Sequence, residues 1–138
     1  MILDSSAVVA VLRAEPEAPE MARTMDRAET CSISVVSYVE AAIVIDAGRD
    51  PIASRRFDDF FREAEIVLEP VTRRQAEIAR EAYRDFGKGR HRAGLNFGDC
   101  FAYALAKSLN EPLLFKGNDF RHTDIQPATD GDWSLSQS

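Results

Sequence analysis

The chain has 138 residues, with 17 Lys and Arg against 23 Asp and Glu for a net charge of −6, and is 45% hydrophobic and 29% charged. That is the size of one domain, able to bury a core without disulfides or a structural metal, and the composition excludes a disordered or fibrous chain. The acidic balance argues against a protein that coats nucleic acid by charge alone, but it allows a nuclease whose acids gather in a metal site and whose basic residues form a rim.

Met1-Ile2-Leu3 is a short apolar run that ends at Asp4, and Ser5-Ser6 open an apolar-rich helical stretch to Arg13. Glu15 and Pro16 start a second helix running to about Ala28, since proline is tolerated in a first turn. Residues 30–34 alternate as a strand does; residues 35–47 are helical until Gly48 stops them. Residues 51–64 form another helix with Phe57, Phe60 and Phe61 on one side, and 66–68 a brief strand closed by Pro70. Residues 72–86 are dense in helix formers, with Ala76, Ala79 and Tyr83 spaced as a face.

Residues 87–94 make a basic, glycine-rich loop, 96–109 a helix and 112–115 a buried strand. Gly117-Asn118 forms a turn, and Ile125 begins a last short strand. Strands separated by helices of this length imply parallel pairing through crossovers, hence an α/β fold with a mostly parallel central sheet flanked by helices on both faces. No repeat or linker divides the chain, so residues 1–128 read as a single domain and 129–138, including Trp133, as a polar tail. Cys31 and Cys100 form no metal-binding spacing and read as buried thiols in a reducing compartment. Without a basic leader, or an apolar run near the ~18 residues of a membrane span, the protein is expected to be soluble and cytoplasmic.

In open α/β sheets, ligands collect at the carboxyl ends of the strands, and four acids fall there or on a helix face that could reach there. Asp4 ends the first strand; it is equally well placed to cap the following helix. Glu40 falls inside an apolar arc of Val36, Ile43, Val44 and Ala47, where a carboxylate is costly unless paired, protonated or bound to a metal. Asp99 stands in the first turn of an almost uncharged helix, where it can also complete a capping box with Asn96. Asp119 follows the strand at 112–115 and, taken alone, is an ordinary turn aspartate. Gathering several carboxylates is self-repulsive unless a cation is shared. An all-oxygen set of this kind selects Mg²⁺ or Mn²⁺ over zinc, and the matching chemistry is phosphodiester hydrolysis with activated water.

Four segments in order, MILDSSAVVAVL, ISVVSYVEAAIVI, LNFGDCFAYALAK and LLFKGNDF, resemble the PIN-domain ribonucleases, and within them the VapC toxins of bacterial VapBC toxin–antitoxin pairs. The resemblance runs from Met1 to about Gln126 without a large insertion. It implies that Asp4, Glu40 and Asp99 are catalytic metal ligands and that Asp119 occupies a more variable fourth ligand position. It places Ser6 where the family keeps a small hydroxyl near the metal, although a helix-start hydroxyl explains Ser6 as well. It further implies RNA cleavage with Mg²⁺ or Mn²⁺, a homodimer, and silencing by a VapB-type antitoxin whose tail enters the acidic groove.

Lys88, Arg90 and Arg92, with His91 among them, read either as a phosphate-gripping rim for RNA or as a solvated basic loop on an acidic protein. His91 and His122 read as surface residues rather than general bases. Two other classes compete with the nuclease. An aspartyl-phosphate phosphatase normally needs a second Asp where Ser6 stands, and a receiver-type signalling domain needs an acid after a middle strand, where this chain offers none before Glu40. A non-catalytic binding module would use the acids only as helix caps, and would show no saturable metal effect on melting.

Overall fold

A computed structural model describes residues 1–129. Four short strands, β1 (Ile2–Leu3), β2 (Ser32–Ser34), β3 (Val67–Glu69) and β4 (Leu113–Leu114), form one parallel sheet in the order β3-β2-β1-β4. Parallel neighbours cannot be joined by tight turns, and helices make each crossing. Helices α1 (Ser5–Leu12) and α2 (Ala18–Arg27) connect β1 to β2, and α3 (Val35–Asp46) and α4 (Pro51–Glu63) connect β2 to β3. Helices α5 (Arg73–Phe86) and α6 (Phe97–Leu109) lead from β3 back across the sheet to β4.

The sheet is covered on both faces, and the alternation of strand side chains shows how. Ile2 and Leu113 pack with Ala79, Ala82 and Leu105 of the α5–α6 layer. Their immediate neighbours Leu3 and Leu114, with Ile33, pack with Val8, Met21, Phe57 and Phe61 of the α1–α4 layer. Ile2, Leu3, Ile33 and Leu113 are wholly shielded from solvent. Helix starts follow their caps: Asp50 accepts from the Ile52 N–H ahead of Pro51, and Thr72 Oγ1 accepts from the Gln75 N–H.

The chain runs outward from β1 through β2 to β3 and then returns to place β4 on the other side of β1. The reversal opens a crevice beyond the carboxyl ends of β1 and β4, where ligands settle in sheets of this type. Asp4 emerges there directly from β1, and Lys116 to Asp119 follow β4.

Several sequence expectations are corrected. The stripe Ile43, Val44 and Ala47 of α3 faces solvent, with Ile43 63% exposed, while Ser37, Ala41 and Ile45 face inward. Ala41 and Ile45 join the core of the α1–α4 layer, and the small Ser37 and Ala41 let α3 pack closely against its neighbours. In α5 the inner face is Gln75, Ala79 and Ala82; Ala76 and Tyr83 are exposed. No strand begins at Ile125: Ile125 is buried as a core side chain, and Pro127 makes an isolated bridge to Leu113. The second helix starts at Ala18, two residues after Pro16. A short 3-10 helix, Asp119–His122, follows the turn at Gly117. Cys31 and Cys100 are both buried and free. No helix among the described residues is long and apolar enough to cross a membrane. Of the proposed tail, residues 130–138, Trp133 included, lie outside the described residues.

Candidate active site

The strand β1 hands Asp4 to the crevice already fixed. Its N–H donates to the Leu114 carbonyl of β4 at 3.0 Å. Its side chain caps α1: Oδ2 accepts from the Ser6 N–H at 3.0 Å and from Ser6 Oγ at 2.6 Å. Asp4 is only 3% exposed, and its other oxygen, Oδ1, is buried with no hydrogen-bond partner. Burial raises the carboxyl's pKa, the Ser6 and Ser5 donors oppose the rise, and the charge of Asp119 adds to it. Cap and candidate ligand are therefore the same side chain, with Oδ2 engaged as the cap and Oδ1 left for a ligand.

Glu40, one turn and a half into α3, is half-buried. Burial first, and then the charges of Asp4 and Asp99, push its carboxyl up to about 7. Its carboxylate lies against the backbone of Gly98 in α6: a Cβ placed on that glycine would come within 1.8 Å of Glu40 Oε2. The absence of a side chain at 98 is what lets an acid on α3 reach into the groove beside α6.

Asp99 completes the capping box foreseen from the sequence. Its N–H donates to Asn96 Oδ1 at 2.8 Å, and its Oδ2 accepts from the Asn96 N–H at 3.0 Å. Burial, followed by the charge of Asp4, pushes it up to about 6 against the lowering effect of the Asn96 hydrogen bond; Asp119 adds a further push. Asp119 begins the 3-10 helix and is exposed. Its field reaches both Asp4 and Asp99. Four acids from the two ends and the middle of the chain thus act on one another, with Asp4 at the hub.

These carboxylates share an electrostatic field without touching. Among the described residues, no three His, Cys, Asp or Glu side chains are already drawn into a set that could close around a metal. Burial first, and then the charges of neighbouring acids, raise the carboxyls of Asp4, Glu40 and Asp99. The donor chemistry nonetheless fits a hard divalent cation: the groups are all oxygen donors, Asp4 Oδ1 is unpartnered, and Glu40 has room over Gly98.

Ser6 sits between strand ends. Its Oγ donates to Asp4 Oδ2 and accepts from the Lys116 N–H at 3.0 Å, so it supports the hub acid and caps the helix start as well. In the basic loop, Lys88, Arg90 and Arg92 are exposed and form no ion pair among the described residues. The loop itself is ordered by pairing of Gly87 with Leu95, and by His91, whose Nδ1 accepts from the Ala93 N–H at 3.0 Å and whose ring stands edge-on to Phe86. His91 is thus a structural anchor of the loop.

Sequence reasoning missed Gly98 and the group Lys116, Glu15 and Glu17. A glycine in the first turn of a helix, where better helix formers are available, is a readable signal for the first. The second joins residues about a hundred positions apart, and nothing local announces it.

A family model described as the PIN domain matches residues 1–126. Ribonuclease VapC28 of Mycobacterium tuberculosis is 54% identical over 131 residues, which cover 94% of this chain and 98% of that protein. Ribonuclease VapC of Mycolicibacterium smegmatis is 47% identical over 125 residues, covering 91% and 97% respectively. Among solved structures, VapC20 of Mycobacterium tuberculosis, a Sarcin-Ricin loop cleaving toxin, matches with a TM-score of 0.69 at 14% identity over 91% of this chain and 98% of that one. A toxin–antitoxin complex from Klebsiella pneumoniae gives a TM-score of 0.68 at 13% identity over 89% and 92%. At those identities the two structures share the fold with this chain.

Proposed function

The chain belongs to the PIN-domain family, among its VapC toxin endoribonucleases, and from that premise we propose that it hydrolyses RNA phosphodiesters at a Mg²⁺ or Mn²⁺ site held by Asp4, Glu40 and Asp99, with Asp119 as a fourth, outer ligand. The observation that carries this reading is the buried, unpartnered Asp4 Oδ1, with the Glu40 carboxylate brought in over Gly98 and Asp99 held at the start of α6. Groups this costly to gather call for a cation. When bound, the metal supplies positive charge for the phosphate and lowers the pKa of a water molecule to make the nucleophile.

The chain's own residues do the rest. Ser6 fixes the orientation of Asp4, Asn96 fixes Asp99 through the capping box, and Gly98 admits Glu40. Lys88, Arg90 and Arg92 grip the phosphates on either side of the cut. Purified protein is expected to cleave RNA in Mg²⁺ or Mn²⁺; full activity in excess EDTA rejects the proposal.

As the toxin of a pair, the protein is expected to be held inactive by a VapB-type antitoxin seated in the acidic groove, and to act in the cytoplasm. A homodimer is supported by the apolar side chains that α3 and α6 leave outside, Val39 at 50%, Ile43 at 63% and Phe97 at 67% exposed. Growth arrest on expression, relieved by the product of a small open reading frame directly upstream, tests the toxin role; harmless expression of active enzyme contradicts it.

A further inference from the structure

We propose that Lys116 is a positioning residue of this centre: held at its ammonium group by Glu15 and Glu17, it holds the Ser6 hydroxyl on Asp4 with its backbone amide. The inference rests on the reading of the acids as a metal-holding nuclease site. Lys116 Nζ donates to Glu15 Oε2 and lies 3.2 Å from Glu17 Oε1. Its N–H donates to Ser6 Oγ at 3.0 Å, and that oxygen donates to Asp4 Oδ2 at 2.6 Å. One residue therefore links the connection between α1 and α2 to the hub carboxylate through three successive polar contacts.

The sheet alone does not fix that amide. Strand β4 ends at Leu114, and Gly117 directly after Lys116 adopts a φ of +96°, which only a turn requires. Between strand and turn, the backbone at 116 is held by the buried Phe115 before it and, through its own side chain, by Glu15 and Glu17. The anchor is substantial: the Glu17 side chain is 1% exposed, and a carboxylate so buried is tolerated only with a cation and further hydrogen bonds.

A serine hydroxyl has one hydrogen to give. With the Lys116 amide occupying a lone pair of Oγ, that hydrogen is directed at Asp4 Oδ2. The carboxylate then has Oδ2 saturated by two donors and Oδ1 as its unpartnered oxygen. Such outer partners of a metal ligand commonly govern affinity or activity by ten- to a hundredfold. Asp119, three residues beyond Lys116, is placed by the same anchored turn.

The test uses the full chain in four forms: wild type, K116M, K116R and E17Q. Calorimetry with Mn²⁺ alone gives the binding constant, and RNA cleavage gives kcat and KM. K116M keeps the amide and loses the tether. It is expected to weaken Mn²⁺ binding and lower kcat by about tenfold or more while KM for RNA stays within about twofold of wild type. K116R, which restores the charge, is expected to recover most of both losses, and E17Q to fall between. Wild-type Mn²⁺ affinity and kcat in a folded K116M overturn the proposal. Should K116M fail to fold, the same result in E17Q overturns it. A wild-type protein that neither binds Mn²⁺ nor cuts RNA is a separate outcome, which removes the metal site and this role with it.

Discussion

The Glu40 carboxylate lies so close to the Gly98 backbone that a single added methyl would meet Oε2 at 1.8 Å. The contact joins α3 to α6, two helices far apart in sequence, at the point where two of the candidate metal ligands enter the groove. Gly98→Ala should therefore invert the usual helix rule. Alanine is ordinarily the better helix former, yet here, in the first turn of α6, the methyl displaces the acid. The expected result is loss of cleavage by about tenfold or more, with a folded protein by circular dichroism; a G98A enzyme of unchanged kcat contradicts the packing described.

Removing the acids one at a time separates ligand from cap. Asp4→Asn, Glu40→Gln and Asp99→Asn retain shape and remove charge, and each should lower kcat by about a hundredfold or more, the scale of a lost charge-stabilising group. Asp119→Asn, at an exposed outer position, should cost less. Single-turnover cleavage of an RNA substrate checks the ranking, and equal activity of D4N and wild type contradicts it.

The raised pKa values predict how metal-free stability depends on pH. Glu40 titrates at about 7 when folded against an ordinary value of 4.5. Between those values the folded state holds the proton and the unfolded state does not. Its contribution is therefore fully present below about pH 4.5, and stability falls as pH rises through 7. E40Q removes the group from the titration. In EDTA it should melt above wild type at pH 7.5, by an amount on the order of 1 kcal/mol after screening at this half-exposed position, and match it at pH 4.5. A stabilisation that is largest at low pH contradicts the assignment.

The basic loop should act on binding rather than on the chemical step. Replacing Lys88, Arg90 and Arg92 together by alanine is expected to raise KM for RNA. It should also flatten the dependence of KM on salt, because each lost phosphate contact removes a released counter-ion, roughly 0.7 in the logarithmic slope for single strands. kcat should stay within about twofold of wild type, since none of these side chains belongs to the acid cluster. An unchanged salt slope assigns the loop to the solvated surface.

Much of the fold and site was legible in the sequence because its signals are local. Asp4 before Ser5-Ser6 and Asn96 three residues ahead of Asp99 announce helix starts, and both caps are present. The alternation of short apolar runs with helices led to the parallel sheet. What failed was direction. Glu40 stands out in the sequence because it interrupts an apolar stripe, but Ile43 and Val44 of that stripe point outward, and the acid is half-buried because α6 offers Gly98 beside it. Composition cannot distinguish an apolar face turned to the core from one turned to solvent. The Lys116–Glu17 pair, formed between residues without any pattern of their own, was out of reach for the same reason: only the folded chain brings them together.

The most direct test of the shared ion is the melting temperature of the purified protein as Mn²⁺ is added after treatment with EDTA. A divalent site formed by the folded chain should raise the wild-type melting temperature with the logarithm of free metal once that exceeds the dissociation constant, and the rise should vanish in D4N, which lacks the charge at the hub of the cluster. A wild-type curve that does not respond to Mn²⁺, or a D4N curve that responds equally, contradicts the claim that these carboxylates meet around one cation.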